Sequence, residues 1–230
     1  MRRALKVALM VAGIGALYQV AVAANGGSMG SAPSSSPASA PMTPEMMAKD
    51  AYNSGIDHKD KGRKLEDQAE KQAAKDRDKT EAKAKDEYAK ALKDFKKAAD
   101  LVPGMYQAFN GMGFAYRKTG EPAKALEMYD KALQMAPGFP DAIEYRGEAY
   151  LALNKVEDAK QSYLALFAED RAQADDLMKS MTAWVAKHQA DPAGVDPAIV
   201  SGLDGWIKER SKVALLTANM GVNSHLSIWK

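Results

Sequence analysis

The stretch FNGMGFAYRKTGEPAKALEMYDKALQMAP, Phe109–Pro137, decides how this chain folds. It reads as two short helices with a break at Thr119-Gly120-Glu121-Pro122, glycine to leave the first helix and proline to start the second. Shifting the sequence by 34 residues lays it on itself: Pro103 meets Pro137, Gly104 meets Gly138, Gly113 meets Gly147, Ala115 meets Ala149 and Tyr116 meets Tyr150. Ala91 meets Ala125 and then Ala159, Phe95 meets Tyr129 and then Tyr163, and Ala98 meets Ala132. So many small and aromatic coincidences at one period mark an internal repeat.

The repeating unit is a helix hairpin. Gly113 and Gly147 let the second helix of each pair come close, and Ala125 and Ala159 do the same from the other side. Tyr116, Tyr129, Tyr150 and Tyr163 fill the space between successive pairs. One hairpin leaves an apolar face bare, so the pairs must stack into a superhelix. No stretch alternates with period two, so no sheet is expected. On these residues the segment 89–166 resembles the tetratricopeptide-repeat (TPR) family, and Phe109–Pro137 matches its pattern at nearly every signature position. The resemblance implies an all-α solenoid of about three repeats that binds other proteins. The next unit, IEYRGEAYLALNKVEDAKQSYLAL, matches until its end. There Arg171 stands where Pro137 does, and the helix is expected to run on.

The first unit departs from the pattern. Ala51-Tyr52-Asn53-Ser54-Gly55 resembles a first helix and Ala91–Pro103 a second. Yet Gly55 and Ala91 are 36 positions apart, against 12 from Gly113 to Ala125, an excess of 24. The inserted residues, within HKDKGRKLEDQAEKQAAKDRDKTEAKAKDEYA (58–89), are dense in charges at helical spacing. Both helices of this hairpin are therefore expected to lengthen by about three turns. They would form an antiparallel arm of roughly 18 Å, with Leu65, Ala69 and Ala73 facing Ala82, Tyr88 and Ala89. A single charged helix and an unstructured loop are the alternatives.

Outside the repeats the chain divides as follows. Residues 1–23 read as a secretory signal: MRRALK is the positive start, VALMVAGIGALY the apolar core and Ala21-Val22-Ala23 the small-residue site. This points to a bacterial periplasm, or to an inner-membrane anchor if the segment is not removed. Residues 24–44 are a Gly/Ser/Pro-rich tether expected to be disordered. The first hairpin with its arm then takes 45–105, the repeats 106–139 and 140–169, a capping helix pair 170–217, and a tail 218–230. In the cap, Leu177, Met178, Met181, Trp184 and Val185 form one stripe and Ile199, Leu203, Trp206, Ile207, Val213 and Leu216 the other. Asp196-Pro197 is the start signal of the last helix. The tail, with Leu226, Ile228 and Trp229, is expected to dock on the cap, the alternative being a peptide for a partner.

Composition narrows the function classes. The 32 basic residues exceed the 30 acids by 2, and removal of Arg2, Arg3 and Lys6 leaves 29 against 30, a net −1. Nothing in that balance recommends nucleic acid. With no cysteine there is no disulfide, thiolate nucleophile or lipidated N-terminal cysteine. His58, His188 and His225 lack metal-site spacing, and none of the motifs GxxxxGK[ST], GxSxG or HExxH occurs. Met105, Met112, Met128 and Met135 stand where the repeat wants apolar filler. No catalytic residue, metal or cofactor is expected, and the chain reads as a binding protein rather than an enzyme. In the TPR family the first helix of each pair lines the concave face where partner peptides lie. The resemblance therefore implies a groove of Tyr52, Asn53, Ile56, Gln107, Asn110, Phe114, Arg117, Asp141, Glu144, Tyr145 and Glu148. Tyr52 and Ile56 occupy two positions where some members clamp a terminal carboxylate, so that clamp is not expected. The expected partner is a protein, as a peptide or helix, held by an envelope adaptor. A self-assembling homo-oligomer and an accessory subunit of an envelope enzyme or secretion complex are the alternatives.

Overall fold

The computed structural model describes residues 41–226, with side chains as far as Leu215 apart from that of Ala214. The signal segment, nearly all of the tether and the docking of the tail lie outside the described residues. Among the described residues eight helices follow one another: α1 (Pro44–Ala69), α2 (Ala74–Leu101), α3 (Tyr106–Lys118), α4 (Pro122–Met135), α5 (Pro140–Ala152), α6 (Val156–Glu169), α7 (Arg171–Ala190) and α8 (Pro197–Leu226). No strand occurs among the described residues. The architecture is an all-α solenoid of helix hairpins.

Local chemistry places the ends. Thr43 caps α1, its hydroxyl oxygen accepting from the Met46 N–H at 3.3 Å. Pro44, expected as the last tether residue, is instead the first residue of α1, where its missing N–H costs nothing. Gly120 takes φ +90° in the α3–α4 turn, and Asn154, one repeat later, takes φ +58° in its place. Asparagine tolerates that left-handed conformation better than most side chains. The helix expected to run on through Arg171 does not. Asp170 is extended (φ −140°, ψ 95°), ending α6 while its carboxylate accepts from the Gln173 N–H to cap α7. The aspartate does there what proline does at 137, and Arg171 lies over the Phe167 ring at 3.3 Å. At the other end α8 continues to Leu226, past the expected boundary at 217, over a stretch with one glycine and no proline to stop it.

Close packing follows the repeat. Gly113 faces the Tyr129 ring and Gly55 the Phe95 ring, at distances that leave no space for a Cβ. Seven residues on along α1 and seven back along α2, Gly62 faces Tyr88 in the same way. The arm is thus the first hairpin continued by the same packing, closed above Tyr88 by buried Ala84, Thr80 and Ala69. Its expected register was partly wrong: Ala73, Ala82 and Ala89 are exposed. The helical period counted from Tyr88 passes through Ala84 and Ala91, which puts Ala82 and Ala89 on the far side.

First helices touch first helices, α1 with α3, α3 with α5 and α5 with α7, whereas second helices meet the first helix of the next pair. The solenoid therefore curves with its first helices inside. In the cap, Leu177, Met181, Trp184 and Val185 pack with Val195, Val200, Leu203 and Ile207. Ile199 and Val213, expected on that stripe, are 43% and 36% exposed, because Val200 takes the inward position. Met135, expected as filler, is exposed as well.

Candidate functional site

The concave face is built from three rows one helical turn apart. Tyr52, Ile56, Lys59 and Arg63 run along α1; Gln107, Asn110, Phe114 and Arg117 along α3; Asp141, Glu144, Tyr145 and Glu148 along α5. Asn53, expected among them, is exposed and lies off the α1 row. Tyr52 sits on Phe95 with ring centroids 5.6 Å apart. Burial, then the nearby Asp141, pushes its hydroxyl up to about 12.

Several expected lining residues are instead its floor. Phe114 is 1% exposed, Glu144 6% and Asn110 8%. Phe114 packs edge-on between Tyr88 and Tyr145, at 5.7 and 5.3 Å. Above it stand four cations: the Arg63 and Arg117 guanidiniums at 4.8 and 5.4 Å from the ring centre, and the Lys59 and Lys118 ammoniums at 5.8 Å each. Each gains attraction from the ring's negative face. Phe114 is covered because the elongated α1 passes over it. Lys59 and Arg63 were absent from the expected groove, although they extend the row begun by Tyr52 and Ile56 at helical spacing.

Two of these cations are matched by acids. Arg117 Nη2 lies 2.6 Å from Glu148 Oε2, and Lys118 Nζ lies 2.7 Å from Glu66 Oε2. Burial pulls the Arg117 pKa down, but Glu148 together with Tyr129 and Tyr145 outweighs it and the net shift is upward. Arg63 has a neutral partner: its Nη2 donates to the Tyr145 hydroxyl at 2.9 Å. Lys59 is half-buried, and burial followed by repulsion from Arg63 lowers its pKa, against weaker support from Asp60 and Asp141. The far row is held from α7, where Gln173 Nε2 donates to Asp141 Oδ1 at 2.5 Å and Ser180 Oγ to Glu148 Oε1 at 2.7 Å.

The central position of the repeat supplies one unused polar group of the groove. Asn110 lies midway along α3 with a buried Oδ1 that has no hydrogen-bond partner. Residues 106–139 match the tetratricopeptide repeat. The match covers the TPR hairpin α3–α4, which carries Asn110, Phe114 and Arg117. A solved structure of the first TPR of Spaghetti (RPAP3), bound to the HSP90 peptide SRMEEVD, is 24% identical to this chain. The similarity covers 57% of this chain and 94% of that one, at a TM-score of 0.39. Comparison with curated protein sequences finds no match.

The remaining polar clusters have structural partners. His58 Nδ1 is 2.7 Å from Glu87 Oε2, which joins α1 to α2, and Ser54 Oγ donates to Asp94 one turn earlier. His188 is buried against Trp184, its Nδ1 2.9 Å from the Trp184 carbonyl oxygen. Among the described residues no group of histidines and acids could hold a metal ion.

Proposed function

We propose that the protein is an adaptor of the bacterial envelope whose concave face holds a segment of a partner protein, by binding rather than catalysis. One observation carries the reading: the Asn110 amide lies on the groove floor, 8% exposed, with an oxygen that nothing among the described residues satisfies. A buried polar group without a partner costs about 1–3 kcal/mol. A peptide main chain, with N–H and C=O side by side, offers both a donor and an acceptor to such an amide. Half-buried Tyr52, Ile56 and Tyr145 flank it and supply the apolar contact that peptide capture needs. Export rests on the first 23 residues as read from the sequence.

The test is photo-crosslinking from Gln107, on the groove row, beside Gln134, exposed on α4. Protein adducts from Gln107 that are missing from Gln134, and that Asn110→Ala weakens, are the expected result. Adducts of equal yield from both positions would remove the groove as the site. Intact mass of the recovered protein checks export, which predicts loss of residues 1–23.

A further inference from the structure

One side of the second helix of the arm is rich in lysines that are mostly without an ion pair. Lys75, Lys79, Lys83, Lys90, Lys93 and Lys97 recur at intervals of three, four and seven residues, so they lie along one side of α2. The stripe is about 33 Å long. All six are exposed, and of the six only Lys90 has an ion pair, with Glu87. Asp86 lies among them, and Asp100 follows one turn past Lys97. Asp76, Glu87 and Asp94 stand at its inner edge, where Glu87 already serves His58 and Lys90, and Asp94 serves Ser54.

Across from the stripe, α1 adds Lys61 and Lys64. A cleft of about 420 Å³ runs between the two helices, with Leu65 half-buried in it and Lys61, Lys64, Lys83 and Lys90 on its rim beside Asp86 and Glu87. It lies on the side of α1 away from Arg63 and Glu66, which meet the body of the solenoid. Two helices alone leave such a groove uncovered, and a third helix laid in it completes the packing.

We propose that this face of the arm docks an acidic α-helix of a partner protein, its apolar edge over Leu65 and its carboxylates against Lys61, Lys64, Lys83 and Lys90. Acids spaced four residues apart on a helix repeat every 6 Å or so, the spacing of the lysines along α2. A preformed rod meets the stripe without the ordering entropy that an extended acidic coil would lose. Two copies of the face repel each other, so it selects a partner other than a second copy of this chain.

The probe is a fluorescent helical peptide of about 22 residues, the length of the stripe, with glutamate at every fourth position and leucine along the adjoining edge. Titrated with the full-length protein, it should bind saturably, and more weakly as salt rises. Lys83→Glu with Lys90→Glu should weaken binding about tenfold or more, with the circular dichroism spectrum unchanged. Should that pair fold poorly, Lys61→Gln with Lys64→Gln reads the same face from α1. A peptide with its glutamates changed to lysine should then prefer the charge-reversed protein. No binding, equal binding by the charge-reversed variant, or equal binding of a non-helical polyglutamate would overturn the proposal. Stronger binding to phosphatidylglycerol vesicles than to the peptide would overturn it in favour of a membrane.

Discussion

At Gly113 a methyl group would sit 2.5 Å from Cε1 of Tyr129, a ring that is itself 0% exposed and cannot step aside. Gly113→Ala should therefore cost about 1–3 kcal/mol by overpacking, read as a lower urea midpoint. At Gly138, where nothing lies within 4 Å, the same change should leave the midpoint nearly unchanged. Glu87 makes a second argument at this scale. Its hydrogen bonds from Lys90, then His58, hold its carboxyl below the ordinary value. A depressed carboxylate contributes stability that is fully present above the unfolded-state pKa and lost as pH falls through the folded one. Glu87→Gln should accordingly lower the melting temperature at pH 7, and the two proteins should converge below about pH 4.

Helix ends and helix pairs are decided between residues. Asp170 terminates α6 and caps α7 at once, so Asp170→Ala should cost about 1 kcal/mol and Asp170→Asn much less, measured by urea unfolding. The missing proline at 171 was legible in the sequence, but the substitute was not, because a cap is a geometry of backbone and side chain and not a residue type. The arm shows the reverse. Its length was legible from the 24-residue excess, and its register was present in the heptad of Gly55 and Gly62 against Tyr88 and Phe95. Alternating alanines at 82, 84, 89 and 91 hid which set faced inward. The arm meets the body through Arg63 and Glu66 and its tip extends past them, so amide exchange should be slowest from Ala84 to Ala99 and faster towards Ala74. Equal protection along α2 would count against a hinge of stability at Tyr88.

For the whole molecule, the bulkiest fully buried side chains among the described residues are tyrosines, Tyr88, Tyr129 and Tyr163. Burial raises the pKa of Tyr52, Tyr88, Tyr129 and Tyr145. Above about pH 10 the unfolded chain ionises its tyrosines while the folded one resists, so it binds fewer protons than the native state and stability falls with rising pH. A spectrophotometric titration should show these four tyrosines ionising only with cooperative unfolding. The repeat and the glycine-to-aromatic packing of the first two hairpins were determined by the sequence alone, because each depends on residues within one hairpin, whereas Gly147 of the third meets Leu177 of α7. What only the tertiary structure decided is the make-up of the concave face. Phe114 becomes a floor, and Lys59 and Arg63 join the groove, because α1 crosses α3 and reaches Tyr145, 82 positions away from Arg63. That crossing follows from the rotation of each hairpin against the next, summed over the stack, and no local pattern carries it.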